Sequence, residues 1–440
     1  MSEDQGLYQS RKFTGSLSRD GRSIEVVAQI NLDSAGEVVF AFDPVPLANE
    51  SSFLLEARFD QGDVPTVLTF SGVAPDQTRF ETKNFHLERC GLEEDDTGTR
   101  LKLGGVCLTG TFRRPLATPA ALPSLLLHLR GYRSFDQHEI ACQLGRVIIG
   151  VHSKPDDVNT LSGSIALQAA TPPDDFAKWR KDGETLLEHV RRVMSFASAT
   201  LLRTPATDCY AGGEVEVQVR SQTMQSTGAL PTIHHMQQEA IFATAVSSFF
   251  NPPVAVRQLF YAIEWFTMET TYNEIRLVCA MTALENLVNA NLNEQDVLIE
   301  DRRVFDKTRR ALRSVIRKCL EKWPVEQADV LSELNEKLAD LNRRSLFRKV
   351  KILATRWHVP LDDTPDERLN TAIDARNRVV HRGQYYEERG EEDPDLWTHV
   401  TIIREVVARF LFTAIGYRGD YISYVGRAHH AKFPPTEEAG

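Results

Sequence analysis

Thr364-Pro365-Asp366-Glu367-Arg368-Leu369-Asn370-Thr371-Ala372-Ile373-Asp374-Ala375-Arg376-Asn377-Arg378-Val379-Val380-His381-Arg382-Gly383 reads as a single helix with a start, a stop and a buried stripe. Thr364 is placed to cap it, Pro365 suits the first helical position, and Glu367 completes a capping box three residues after Thr364. Gly383 ends it. Leu369, Ile373 and Val380, with Ala372 and Val379 beside them, recur at helical spacing and face a core. Neighbours able to supply that core surround this stretch. From Gln237 onward almost everything reads as helix. Thr271 and Glu274 form a second capping box, opening a helix whose Ile275, Leu277, Val278, Met281, Leu284, Leu287 and Val288 are apolar nearly all round, so it is central. After the acidic loop 387–393 and Pro394, a last helix lines its core face with Leu396, Val400, Ile403, Val407, Phe410 and Ala414. The C-terminal half is therefore expected to be all-α.

Upstream the period changes. Residues 11–170 alternate apolar and polar positions in short runs parted by turn residues, the mark of antiparallel strands. Ser23–Ile30, Glu37–Phe42, Thr66–Phe70 and Arg146–Val151 are examples, with Asp20-Gly21 and Ser34-Ala35-Gly36 as turn signals. A β-sandwich or an open barrel is expected. At Ala170–Asp175 the pattern shifts to an amphipathic helix over Gly183–Leu202 and a short strand at Glu214–Val219. The chain thus reads as α+β: an antiparallel β-rich domain over 1–170, an α/β connector over 171–234, a helical domain over 235–425 and a tail over 426–440.

The 440 residues are 42% hydrophobic and 25% charged, proportions of a globular chain long enough for two or three domains. The polar start, Met1-Ser2-Glu3-Asp4-Gln5-Gly6, lacks the apolar segment of a secretory signal, and no apolar run reaches membrane-spanning length. Cys90, Cys107, Cys142, Cys209, Cys279 and Cys319 are scattered without a C-x-x-C pair, which fits reduced thiols in a cytoplasmic protein and argues against a zinc ribbon. His86, His128, His138 and His152 are isolated, so nothing in the β-rich half reads as catalytic. The net charge of −10 does not advertise a nucleic-acid binder, yet the charge is uneven. Residues 302–318 hold Arg302, Arg303, Lys307, Arg309, Arg310, Arg313, Arg317 and Lys318 against Asp306 alone. A second basic run holds Arg343, Arg344, Arg348, Lys349, Lys351 and Arg356.

Chemically able side chains gather on the first-quoted helix. Asn377 and His381 are four residues apart and share a face, so the Asn amide can hold the imidazole or a ligand oxygen beside it. Arg376 stands next to that face with a fork suited to phosphate. In the last turn His381 feels the negative end of the helix dipole, which favours the imidazolium. A cation, an amide and a titrating imidazole suit phosphodiester chemistry. Glu285, on a helix read as central, needs a partner, with Arg276 or an arginine of the later helix in reach. The same residues also fit a plain surface helix, with solvated arginines and a histidine meeting a carbonyl.

The string Arg376-Asn377-Arg378-Val379-Val380-His381 resembles the R-N-x-x-x-H signature of HEPN domains, a helical family that includes many metal-independent ribonucleases of defence and toxin systems. Arg276-Leu277 and Thr282-Ala283-Leu284-Glu285-Asn286-Leu287 resemble the long helix that precedes the signature there. With a β-rich N-terminal half, the layout is similar to ApeA-type proteins, linked to abortive defence against phage. The resemblance covers roughly residues 255 to 415. It implies a HEPN-like helical bundle and an endoribonuclease with Arg376, Asn377 and His381 as catalytic residues. Arg378 and Arg382 would bind substrate, Glu285 would support the site, and no metal or cofactor would be used. It further implies an RNA substrate, a homodimer formed through the helical domain, no membrane, and a phage-derived trigger recognised by the N-terminal domain. The alternative is a non-catalytic helical scaffold that binds a protein or nucleic acid; the complete signature string favours the enzyme.

Overall fold

The computed structural model describes residues 10–32, 37–59, 67–96, 98–152, 161–222, 230–268, 270–320, 327–362, 364–382, 385 and 395–435, with the side chains of 95, 327, 328, 339 and 382 outside it. The chain divides between Phe250 and Asn251 into two units. The first is an antiparallel β region containing a barrel, and the second is helical.

Strands β1 (Arg11–Arg19), β2 (Arg22–Leu32), β3 (Val38–Phe42), β4 (Val45–Pro46), β5 (Leu68–Val73), β6 (Arg79–Asp95) and β7 (Gly98–Cys107) build the barrel, with helix α1 (Ser52–Phe59) between β4 and β5. β6 pairs with β5, β5 with β1, β1 with β2, β2 with β3 and β3 with β7; β7 returns to the far half of β6 and closes the ring. Closure removes the free edges that these strands would otherwise expose. It also forces backbones together: a Cβ on Gly15 would lie 2.1 Å from the Ser71 carbonyl oxygen across the β1–β5 pair, so only glycine fits. Inside, Phe13, Phe40, Phe70, Phe80 and Phe85 are fully buried, and the Phe40 ring lies 4.8 to 5.7 Å from those of Phe85, Phe70 and Phe80. Phe53 and Leu54 of α1 join the same core.

From the first residues of β6 the sheet continues open through β8 (Thr109–Pro115). β9 (Ser124–Arg130), β10 (His138–Cys142), β11 (Gly145–Val151), β12 (Gly163–Gln168), β13 (Arg203–Ala211) and β14 (Glu214–Arg220) extend it in the order β8–β14–β13–β9–β12–β11–β10. Helix α2 (Phe176–Ser198) is capped by Asp175, whose carboxylate accepts the Lys178 amide at 3.0 Å, and packs on β9 and β12. Helix α3 (Glu239–Phe250) packs on α2 and β10.

The expected sandwich or open barrel is thus a closed ring with an open extension. Alternation within a strand does not encode that β6 is long enough to serve several partners. The α2 helix begins seven residues before the expected Gly183. Gly183 marks no start: it lets the helix approach the sheet, since a Cβ there would lie 2.7 Å from Leu167 and 2.8 Å from Leu125. The unit boundary also falls later than the sequence places it, at 250/251 in place of 234/235. β13 and β14 sit between β9 and β8 in the middle of the sheet, so the expected connector is part of the β unit.

The helical unit comprises α4 (Leu259–Phe266), α5 (Asn273–Asn291), α6 (Glu294–Val297), α7 (Arg302–Leu320), α8 (Gln327–Asp340), α9 (Leu346–Trp357), α10 (Asp366–Arg382) and α11 (Leu396–Ile415). Leu396, Val400, Ile403, Val407, Phe410 and Ala414 of α11 are all buried, and α11 packs against α4, α5, α9 and α10. α5 starts at Asn273 with Tyr272 as its N-cap and no side-chain cap bond, so the Thr271–Glu274 box does not form. The end of the expected helical domain and the expected tail, 426–440, are joined by a hairpin: β15 (Gly419–Ser423) pairs with β16 (His429–Phe433). Among the described residues no helix is long and apolar enough to cross a membrane.

Candidate active site

α10 carries the signature residues, and its rotation decides what they can reach. The Pro365 carbonyl accepts the Arg368 and Leu369 amides at 3.0 and 3.3 Å, so the helix starts just after Pro365 and the Thr364–Glu367 box is not what opens it. Gly383, expected to end it, lies outside the described residues. The helix packs on α5, α9 and α11, and its buried residues are Leu369, Ala372 and Ala375. Val380, expected on the core stripe, is 48% exposed. The two alanines permit close approach of three helices, which turns the buried arc away from Val380 toward Ala372. Ala372→Asp, at 0% exposure, is therefore expected to destabilise the chain by more than about 3 kcal/mol, because it buries an unpaired charge. Val380→Asp changes stability by less than about 1 kcal/mol. Urea unfolding of both variants checks the rotation, and the opposite order would show the helix turned the other way.

Arg376 points into a cleft of about 400 Å³ lined by Met281, Glu285, Phe347, Ile373 and Asn377, among others. Its Nη2 lies 3.0 Å from Glu285 Oε1 and donates to Oε2 at 3.2 Å, and its Nη1 donates to Asn377 Oδ1 at 3.2 Å. The Arg376 and Glu285 side chains keep 21% and 30% of their surface in solvent, so Glu285 is less buried than expected. Water screens a pair this exposed, which limits its contribution to about 1 kcal/mol. Arg276 is not the partner of Glu285: its Nε donates to the Thr270 carbonyl at 2.8 Å and its guanidinium lies 5.9 Å from the centre of the Trp397 ring. The Arg376 Nε is shielded from solvent and has no hydrogen-bond partner among the described residues.

His381 is one turn beyond Asn377, about 6 Å along the axis, and its side chain is exposed. It does not line the Arg376 cleft. Arg378 is half-buried on the same helix, whereas the side chain of Arg382 lies outside the described residues. The structure thus brings together Arg376, Asn377 and Glu285, and leaves His381 free to meet a group approaching from solvent. The set offers a guanidinium held by a carboxylate, an amide that steadies it, and an accessible imidazole.

Two polar sets escaped the sequence reading. Lys349 Nζ donates to Asn289 Oδ1 at 3.3 Å, one helical turn from Glu285 on α5. In the β unit, His128 Nε2 lies 3.0 Å from Asp208 Oδ2, which also accepts the Tyr210 hydroxyl at 3.3 Å. His128 and Asp208 are eighty positions apart, and only the β9–β13 register brings them together. Burial and the neighbouring His128 hold the His152 imidazole below its ordinary range. Among the described residues no group of three or more His, Cys, Asp or Glu side chains could hold a metal ion. No protein-family model, curated protein or solved structure matches this chain.

Proposed function

We propose that the protein is a metal-independent endoribonuclease of an abortive phage-defence system, with its site on α10. The observation that carries this reading is Arg376, fixed by Glu285 and Asn377 in a cleft, with an exposed His381 one turn away on the same helix. RNA brings its own nucleophile. Attack of the 2′-hydroxyl oxygen on phosphorus forms the cyclic ester as the bond to the 5′-oxygen breaks, so one proton leaves the 2′-oxygen and one reaches the 5′-oxygen. His381 moves these protons, and Arg376 stabilises the charge gathering on the phosphoryl oxygens. Asn377 orients Arg376, Glu285 supports it from α5, and Arg378 and Arg382 add phosphate contacts.

One imidazole per chain cannot act as base and acid at once. Two chains facing their α10 helices across a two-fold axis would supply two histidines and two arginines to one phosphate. The resemblance to HEPN proteins supports this homodimer and a HEPN-like bundle. The resemblance in layout to ApeA-type proteins supports a cytoplasmic sensor role, with the β unit recognising a phage-derived trigger. One observation favours a binding module without turnover: Arg376 already has a carboxylate partner, as a structural tie between α5 and α10 would.

Incubating the purified full chain with mixed cellular RNA in excess EDTA decides between them. The expected products end in 2′,3′-cyclic phosphate and 5′-hydroxyl groups, formed by a species that light scattering measures as a dimer. Activity that vanishes in EDTA, or an active monomer, would remove this mechanism.

A further inference from the structure

We infer that the helical unit carries a binding track for the backbone of single-stranded RNA, running from Arg376 past Asn289 and Lys349 to Arg343, Arg302 and Arg309. The inference rests on the ribonuclease reading and adds how substrate is held. Two clefts follow one another along α5 and α9. The Arg376 cleft is lined by Glu285 of α5 and by Leu346 and Phe347 at the start of α9. A second cleft, of about 540 Å³, is lined by Asn289 and Lys349, one turn further along the same two helices. Its far wall holds Arg302, Phe305 and Arg309 of α7 with Arg343. The 3.3 Å bond from Lys349 to Asn289 sits at the join.

The second cleft collects four cations, Arg302, Arg309, Arg343 and Lys349, against two carboxylates, Glu294 and Asp306, in a chain whose net charge is −10. Such crowding is unfavourable until an anion arrives. Burial and the nearby Arg343 lower the Lys349 ammonium from its ordinary range, with Glu285 opposing. Of the carboxylates already present, Asp306 holds Arg309 at 2.9 Å, with the two side chains 38% and 31% exposed, and the others are weaker competitors. Arg302 meets Glu294 only at 3.7 Å with both largely exposed, and Arg343 meets Asp340 at 3.5 Å on the surface. Exposed pairs of this kind are worth little, so phosphate can displace them.

The wall is also preorganised. Asn342 is buried and clamps Glu300 in both directions: its Oδ1 accepts the Glu300 amide and its Nδ2 donates to the Glu300 carbonyl, each at 2.9 Å. The Arg344 amide donates to the Val297 carbonyl at 2.8 Å, and Leu298 bridges to Arg343. Arg343 is thereby fixed between two backbone anchors. Phe305, half-buried in the second cleft, sets aromatic surface beside the cations, whereas Phe347 of the first cleft is buried in the core. A ring beside cations favours an unpaired base, which stacks on it while the cations follow the phosphates; a duplex hides its base faces.

Fluorescence anisotropy on the full chain tests the track without cleavage, using a labelled mixed-sequence 2′-O-methyl oligoribonucleotide that lacks the attacking hydroxyl. The Lys349→Glu/Arg343→Glu protein is expected to bind at least about tenfold more weakly near 0.1 M salt, with a log–log salt slope shallower by about 1.4 for two lost phosphate contacts. Arg302→Glu/Arg343→Glu, at two well-exposed positions, is expected to show the same loss, and guards against a fold defect from changing α9. Parental affinity and slope in both variants would overturn the track even if the parent cleaves RNA. The converse result, tight and track-dependent binding by a parent that leaves unmodified RNA intact, would keep the track and remove the nuclease. Polyglutamate bound as tightly as the oligonucleotide would overturn the inference in favour of an acidic protein partner.

Discussion

His381→Ala is expected to lower RNA cleavage by about 10²- to 10⁴-fold, the usual worth of a positioned acid or base. The melting temperature should stay close to the parent's. The second half of this expectation follows from position. His381 is exposed at the end of α10, and no hydrogen bond or ion pair holds its side chain among the described residues. Its removal therefore empties no core and orphans no partner; a protonated imidazole in the last turn of a helix stabilises it by only about 0.3–1 kcal/mol. Cleavage rate on mixed RNA and the thermal melt are read on the same preparation. Parental cleavage would discard His381 as the proton carrier. Loss of cleavage together with a large fall in melting temperature would make it a structural residue.

The same residues show why some of this molecule is legible in its sequence and some is not. α11 was readable because Leu396, Val400, Ile403, Val407, Phe410 and Ala414 are large or apolar at helical spacing on one face, and all six are buried. α10 was readable as a helix and misread in rotation. Its packing is set by Ala372 and Ala375, which allow close approach but contribute little to a hydrophobic stripe, while Val380 contributes much and packs little. By sequence the partner of Glu285 was either Arg276 or an arginine of the later helix, yet helical geometry already disfavoured Arg276. Arg276 precedes it by nine positions on α5, a rotation of about 180° that puts the two on opposite sides. What no local pattern carried was contact between distant segments: Lys349 with Asn289, His128 with Asp208, and β6 with its several partners. These depend on register and helix crossing, which periodicity does not specify.

Arg376→Ala is expected to reduce cleavage by about 10²- to 10³-fold, the cost of removing a preorganised group that meets developing charge. It should also lower stability, because Glu285 is left without its guanidinium at the α5–α10 contact; with about a third of the carboxylate exposed, the fall should stay near 1 kcal/mol. Lysine at 376 separates charge from geometry. Arg376→Lys retains a cation near Glu285 but not the fork that reaches Glu285 through Nη2 and Asn377 through Nη1. It should therefore recover most of the stability and little of the activity. Glu285→Gln completes the set: it keeps the side-chain shape, removes the charge that holds Arg376, and is expected to lower kcat more than it raises KM. If Arg376 only ties α5 to α10, all three variants will lose stability in proportion to the broken contact while cleaving RNA at the parental rate. If it stabilises the reacting phosphate, activity and stability will part company at Arg376→Lys, a variant that the structural tie barely distinguishes from the parent.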